Sequence, residues 1–86
     1  MTNQHTIMAH TFLLINDLRF YIQSNEETRK HVHIEDNSNH KAKFWLEPKI
    51  ELAANLGFKV NQLTKIEILI KQHETEFKQK WDNHLC

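Results

Sequence analysis

The sequence predicts an α+β fold in which a small antiparallel sheet of four to five strands has one face covered by a long C-terminal helix. Two observations support this prediction. Apolar and polar residues alternate with a period of two in the segments before Gly57, whereas after Val60 the apolar residues recur at steps of three and four. A chain of 86 residues has room for one domain. We therefore expect a single domain over residues 1–86, with strands in about 10–54 and the helix in about 60–83.

The first predicted hairpin joins two strands of different character. Residues 10–15 (HTFLLI) are apolar on both faces, which suits a strand in the interior of the structure. Asn16 and Asp17 supply the chemistry of a turn. Residues 18–23 then alternate between apolar and polar side chains, so we expect this second strand to bury one face.

Further strands follow the polar stretch of residues 24–29. In residues 31–35 (HVHIE) the apolar positions alternate with two histidines, and in residues 41–46 (KAKFWL) they alternate with two lysines and a tryptophan. Pro48 ends that strand or marks a sheet edge, because proline cannot donate a ladder hydrogen bond. Residues 50–53 (IELA) are the last short strand that the pattern predicts.

The length of the turn before residue 41 decides which face the two histidines occupy, because directly opposed residues share a face. A three-residue turn at 36–38 makes Val32 oppose Ala42 and places the histidines with the lysines, away from the helix. A two-residue turn at 37–38 points the histidines toward the helix instead. We favour the three-residue turn because it leaves no lysine buried.

The C-terminal helix is predicted from a single apolar stripe. The members of the stripe are Leu63, Ile66, Ile70, His73, Phe77 and Trp81. We expect Trp81 to anchor the packing of this helix, and Asn61 to cap its N-terminus. His73 lies at the edge of the stripe, where we expect a structural role through a bond to Glu76 or to a sheet carbonyl.

Seven histidines are many for a chain of this length, and His31 and His33 form the pair with a chemical implication. Residues i and i+2 of a strand project from one face about 6.5 to 7 Å apart, so two imidazoles can bind one divalent metal ion. A metal site needs a further ligand. The candidates for it are Glu35, His40, His73 and Glu76. The interpretation that we favour has no cofactor and places His31 and His33 on the solvated or partner-facing side of the sheet.

Composition disfavours several classes of function. Basic and acidic residues number 11 each, so the formal net charge is zero, whereas proteins that bind nucleic acids by electrostatics usually carry a basic excess. The sequence has no glycine-rich phosphate loop and no apolar segment long enough to span a membrane. The single cysteine, Cys86, and the lack of a signal peptide predict a cytoplasmic protein.

Residues 19–81 resemble a bacterial family called domain of unknown function 4160. The resemblance rests on the segments RFYIQSN, HVH, AKFWLEP and ELAANLGF, and on the spacing of His73, Glu76 and Trp81. The chain departs from the family pattern at Arg29 and Lys30, where the family usually has two prolines. The resemblance implies an α+β fold and a component of a toxin–antitoxin pair, with a protein partner encoded by a neighbouring gene. It implies no established reaction.

These observations lead to a first hypothesis, in which the protein acts through a protein–protein interface on the open face of the sheet. The residues that we expect at this interface are Tyr21, His31, His33, Lys43 and Trp45. An exposed tryptophan beside lysines is typical of an interface hot spot. The partner is a cognate protein or, as a further alternative, a second copy of the chain.

The second hypothesis is a metal-dependent or histidine-based ribonuclease. His31 and His33 would then bind the ion, or act as acid and base, while Arg29 or Lys30 holds a phosphate. The sequence leaves open whether the protein is an enzyme.

Overall fold

The computed structural model describes residues 9–23 and 28–85, which form an antiparallel sheet followed by two helices. The five strands are β1 (Ala9–Ile15), β2 (Leu18–Gln23), β3 (His31–Glu35), β4 (Lys41–Trp45) and β5 (Glu51–Leu56), and the helices are α1 (Val60–Gln72) and α2 (Glu74–Leu85). The strands lie side by side in chain order, with β1 and β5 at the edges. The predicted α+β class is confirmed.

The helical segment breaks at His73, although the sequence predicted one continuous helix. The φ and ψ angles of His73 are −113° and 18°, outside the helical range, and its N–H is shared between the carbonyls of Leu69 and Ile70, both at 3.1 Å. The N–H of Phe77 still donates to the His73 carbonyl at 2.9 Å. The apolar stripe therefore continues across the break, and its periodicity could not reveal that the backbone changes there.

The chain reaches α1 through a tight turn at Gly57. The Asn55 side chain closes this turn, because its amide donates to the Phe58 carbonyl at 3.0 Å and its carbonyl oxygen accepts the Phe58 N–H at 3.1 Å. Gly57 has a φ of +103°, and a Cβ atom on it would lie 2.6 Å from Cδ2 of His40. Backbone conformation and local crowding therefore both require glycine at this position.

The N-cap of α1 is Lys59 rather than Asn61, which the sequence predicted. The Lys59 backbone N–H donates to Oε1 of Gln62 at 2.8 Å, so a side chain three residues further on satisfies one donor at the start of the helix. Because the Gln62 side chain accepts this N–H, the start of the helix does not require the Asn61 side chain as a cap.

One face of the sheet packs against both helices and forms the core. Its buried residues are Phe12, Phe20, Ile22, Val32, Ile34, Ala42, Phe44 and Leu46 from the sheet and its ends, with Phe58, Ile66, Ile70, Phe77 and Trp81. The ring of Phe77 packs against those of Phe12 and Phe20, with centroid separations of 5.6 and 5.7 Å. The apolar stripe on the helices is thus their contact surface with the sheet.

The hairpin of β3 and β4 has the expected faces but a different register. Ile34, and not Val32, opposes Ala42, and Val32 opposes Phe44. The turn comprises residues 37–39 rather than 36–38. A shift of two residues in the pairing preserves the face on which each side chain lies, so the alternation of the sequence is obeyed in either register.

Asp36 provides the physical reason for the observed turn. Its Oδ1 accepts the backbone N–H groups of Ser38 and His40, each at 2.9 Å, and its own N–H donates to the His40 carbonyl at 3.2 Å. Asn39 takes the positive φ, 66°, that ends a three-residue hairpin loop. Asp36 is therefore the anchor of the turn and not its first residue.

Both edge strands contain one residue more than regular pairing with their neighbours requires. The register of β1 shifts between Thr11 and Leu13, which leaves Phe12 extra, and that of β5 shifts between Leu52 and Ala54, which leaves Ala53 extra. The pairings of β2 with β3 and of β3 with β4 show no such shift. Irregularity of this kind is typical of protected sheet edges.

Candidate functional site

The sheet face opposite the core carries a row of aromatic side chains, and we call it the open face. Tyr21, His33 and Lys43 oppose one another on neighbouring strands, and His31 opposes Trp45. The rings of Tyr21 and His33 are stacked at a centroid distance of 5.3 Å, and His31 lies edge-on to His33 at 5.1 Å and to Trp45 at 6.0 Å. The structure thus brings all five residues expected at an interface into one row, in which Tyr21 and His31 are buried.

Cationic side chains lie over the rings of this row. The Arg29 guanidinium carbon is 4.0 Å from the centre of the Trp45 ring, and the Lys43 ammonium is 4.5 Å from it. The guanidinium carbon of Arg19 lies 4.4 Å from the centre of the Tyr21 ring. Each of these positions is within the range of cation–π attraction.

Backbone and carboxylate groups hold the two arginines in place. Arg29 donates from Nε to the Glu47 carbonyl at 2.9 Å, and Arg19 forms an ion pair of 3.2 Å with Glu35. Arg19 was not a candidate from the sequence, although its position two residues before Tyr21 placed it on the same face. The open face therefore carries one guanidinium that was not among the candidates, and it is ion-paired with Glu35.

His31 belongs to the open face by its pairing with Trp45, but it is buried and not solvated, and this corrects the sequence interpretation. It is fully buried, its Nδ1 donates to the Arg29 carbonyl at 2.8 Å, and its ring lies 4.8 Å from that of Trp81 in α2. An ion pair of 2.9 Å between Lys30 and Asp82 joins the same two parts of the chain. The end of α2 thus reaches the start of β3, which strand alternation alone could not show.

The residues considered as further metal ligands have other partners in the structure. His73 and Glu76 bind each other at 3.1 Å on the helix, and the ring of His73 stacks on Phe77. His40 pairs with Asp36 at 2.8 Å beside the hairpin turn, and Glu35 pairs with an arginine. Over residues 9–23 and 28–85, no group of three or more histidine, cysteine or acidic side chains could hold a metal ion.

Two carboxylates outside the aromatic row have shifted pKa values. Burial by itself would raise the pKa of Asp36, but hydrogen bonds from the backbone and ring of His40 and from the backbone of Ser38 outweigh this and lower it. Hydrogen bonds from Lys80 and then from His73 lower the pKa of Glu76. Both pKa shifts result from hydrogen bonds within the turn or the helix. Neither carboxylate lies on the open face.

A shallow groove of about 240 Å³ lies on the open face beside the aromatic row. Its lining includes Tyr21, His33, Lys41, Lys43, Ala54 and Leu56. A second hollow, of about 340 Å³, lies between the first turn and α1 and contains none of the expected site residues. The groove on the open face is smaller than the roughly 300 to 1,000 Å³ of pockets that enclose small molecules.

Comparison with known proteins identifies a family but supplies no activity. No curated protein and no solved structure matched the chain. Within the part of the chain that the structure describes, no helix is long and apolar enough to cross a membrane. The model of a family described as domain of unknown function (DUF4160) matches residues 18–82, which include the whole aromatic row and most of both helices. The chain therefore belongs to the DUF4160 family.

Proposed function

We propose that this protein is a component of a toxin–antitoxin-like pair in the cytoplasm and binds a cognate partner protein through the open face. The observation that carries the proposal is the aromatic row with its cations. Arg29 and Lys43 both lie over the ring of Trp45, and the ring of Tyr21 contacts Arg19 and stacks with His33. Tryptophan, tyrosine and arginine are the residues most enriched among the energetic centres of protein interfaces.

The organisation of the sheet supports binding on the face rather than along an edge. A partner that added a strand would need a regular edge, and both β1 and β5 carry an extra residue that interrupts their pairing. The open face instead offers side chains whose positions are already set by stacking and hydrogen bonds. Such preorganisation lowers the entropy that is lost on binding.

Burial of His31 bears on the alternative function, a histidine-based or metal-dependent ribonuclease. An acid and a base must both reach the reacting atoms of a substrate. His31 is fully buried against Trp81, whereas His33 is only partly buried. A nuclease mechanism on this face would therefore depend on His33 without its neighbour, and for this reason we favour the interface.

Co-purification tests the proposal directly. The protein is co-expressed with the product of the adjacent gene, and the complex is isolated through a tag on that product. We expect Trp45→Ala to abolish co-purification, and Ile68→Ala, which changes an exposed residue of α1, to leave it unchanged. If the folded Trp45→Ala variant still co-purifies with the partner, or if both variants lose co-purification equally, the open face is not the binding surface.

A ribonuclease assay of the isolated protein examines the alternative. The proposal expects no cleavage of single-stranded RNA, with or without added divalent metal. Cleavage by the wild-type protein that is lost in His33→Ala and kept in His73→Ala would favour the nuclease and contradict a purely binding role.

A further inference from the structure

We infer that the C-terminal end of α2 positions Trp45 for partner binding, and that it acts through residues 29–31, which contact both. This inference rests on the proposed function and adds to it a positioning role for Trp81 and Asp82, which lie in α2 and not on the open face. Three sets of contacts support it. They are the contacts of the helix with residues 29–31, those of residues 29–31 with the end of β4, and those with the Trp45 ring itself.

Two successive residues of α2 contact two successive residues at the start of β3. The ring of Trp81 lies edge-on to that of His31, with a centroid distance of 4.8 Å, and both residues are buried. The carboxylate of Asp82 forms an ion pair of 2.9 Å with Lys30, and the Asp82 side chain is 55% exposed. One buried contact and one exposed contact thus fasten the end of the helix to residues 30 and 31.

The same segment is hydrogen-bonded to the chain that follows Trp45. The N–H of Leu46 donates to the Lys30 carbonyl at 2.9 Å. The Glu47 carbonyl accepts from Nε of Arg29 at 2.9 Å, and the Glu47 carboxylate accepts the N–H of Lys30 at 3.3 Å. These three hydrogen bonds tie the backbone on the C-terminal side of Trp45 to the segment that the helix contacts.

Two residues of the segment also contact the Trp45 ring. The guanidinium carbon of Arg29 lies 4.0 Å from the centre of this ring, and the His31 ring lies edge-on to it at 6.0 Å. Nδ1 of His31 donates to the Arg29 carbonyl at 2.8 Å, so the two residues are also bonded to each other. Through these packed contacts, a change in how α2 holds His31 or Lys30 reaches the ring of Trp45.

The orientation of Trp45 matters for binding because a ring that is already ordered loses less entropy when a partner covers it. Trp45 is only partly buried, so contacts with its neighbours hold it in place. With the end of α2 docked, Arg29 and His31 hold the ring for the partner. Coupling of this kind is reciprocal, so a partner bound at Trp45 should in turn stabilise the docked end of α2.

Fluorine nuclear magnetic resonance tests the positioning of Trp45 in the isolated protein. The chain has two tryptophans, so a protein labelled with fluorotryptophan gives one signal for Trp45 and one for Trp81. Asp82→Asn removes the charge that pairs with Lys30. We expect this variant to shift the Trp45 signal as well as the Trp81 signal. An unshifted Trp45 signal would overturn the inference.

Two further variants of α2 control this measurement. Glu74→Gln removes a carboxylate that pairs with Lys78 at 2.6 Å at the other end of the same helix, and it should leave the Trp45 signal in place. Asp82→Glu keeps a carboxylate for Lys30 and should restore most of the wild-type spectrum. Equal shifts of the Trp45 signal in Glu74→Gln and Asp82→Asn would overturn the inference, because they would reflect a general loss of helix stability.

Affinity for the product of the adjacent gene, measured by calorimetric titration, tests the consequence for binding. We expect Asp82→Asn to weaken binding about two- to fivefold, because an exposed ion pair limits the size of the coupling. Glu74→Gln should leave the affinity unchanged. The bound partner should also slow amide hydrogen exchange at the end of α2. Unchanged affinity of Asp82→Asn, for a partner that Trp45→Ala no longer binds, would overturn the inference.

These measurements separate the inference from the proposed function. If the partner binds Trp45→Ala as tightly as the wild type, the open face is not the binding surface and the proposed function fails. The fluorine spectra need no partner, so they still decide whether the end of α2 positions Trp45. If Trp45→Ala abolishes binding while Asp82→Asn changes neither the spectrum nor the affinity, the proposed function stands and only the inference fails.

Discussion

His31 shows how burial changes the role expected of a side chain. In the sequence it is equivalent to His33, because both alternate with core residues of β3. In the structure only His31 contacts Trp81 and has no exposed surface. The sequence could predict the face on which each imidazole begins, but the position of the end of α2 depends on tertiary packing, which has no local signal.

The two histidines should therefore differ in their effects on stability. We expect His31→Ala to lower the free energy of unfolding by about 1 to 3 kcal/mol, because it removes a buried ring and leaves the Arg29 carbonyl without its donor. His33→Ala removes a half-buried ring and should cost less. Urea denaturation measures both losses. Equal losses would show that the contact with Trp81 does not contribute.

Gly57 is a second position where the fold depends on the identity of one residue. We expect Gly57→Ala to destabilise the protein by about 1 to 3 kcal/mol, because alanine is strained at a φ of +103° and its Cβ would contact the ring of His40. Asp36 holds that ring in place at 2.8 Å.

A double-mutant cycle separates strain from contact at Gly57. In a His40→Ala background the Cβ contact is absent but the backbone strain remains, so Gly57→Ala should cost less without becoming neutral. Thermal denaturation of the four proteins measures the coupling. Identical losses in both backgrounds would attribute the whole effect to the backbone.

At the scale of elements, the helices are held to the sheet by a few large side chains. Phe77 and Trp81 are both buried, and Phe77 packs against two phenylalanines of the sheet. We expect Phe77→Ala and Trp81→Ala each to lower stability by about 3 to 5 kcal/mol through the cavity left under α2. Ile68→Ala, at an exposed position of α1, is the control. Losses similar to that of the control in chemical denaturation would contradict the packing described.

The start of α2 offers a prediction for pH. The pKa of Glu76 lies below its ordinary value of 4.5 because of hydrogen bonds from Lys80 and His73. A lowered pKa in the folded state means that ionised Glu76 stabilises the fold above pH 4.5, and that this contribution is lost as the pH falls through the lowered value. Since the Glu76 side chain is 42% exposed, solvent screening keeps the effect below about 1 kcal/mol.

The measurement compares melting temperatures of the wild type and Glu76→Gln over a range of pH. We expect the wild type to be more stable at neutral pH and the two curves to converge in acid. High salt should reduce the difference at neutral pH. A difference that persists unchanged well below pH 4.5 would assign it to packing rather than charge.

The sequence could predict only those features of the strands and helices that burial imposes on the pattern of apolar residues. Alternation in residues 31–35 and 41–46 predicted the core face correctly, because burial of one sheet face imposes a period of two. The observed register differs from the predicted one by two residues, because Asp36 accepts hydrogen bonds from the backbone of the turn. Alternation could not detect this difference, since a shift of two residues leaves every side chain on the same face. The apolar stripe keeps its spacing across the break at His73. The pattern of apolar residues therefore could not predict the break.

For the whole molecule, the balance between charges governs association. The formal net charge is zero and the isoelectric point is near 7.1, so copies do not repel one another at neutral pH. Imidazoles ordinarily titrate near pH 6.5, so acidification from about pH 7.5 to 5.5 should give the chain a positive charge and weaken self-association. Light scattering at the two pH values tests this expectation, and stronger association in acid would contradict it.

The extra residues at Phe12 and Ala53 have a consequence for the behaviour of the protein at its isoelectric point. A protein without net charge lacks the mutual repulsion that keeps concentrated proteins soluble. An open sheet can then grow into a fibre by pairing its edge strand with that of another copy. Here the irregular backbone at both ends of the strand order blocks this growth. Lys80 also reaches across to bind the Phe12 carbonyl at 2.8 Å. Contacts between crowded copies should accordingly stay reversible and leave each molecule folded.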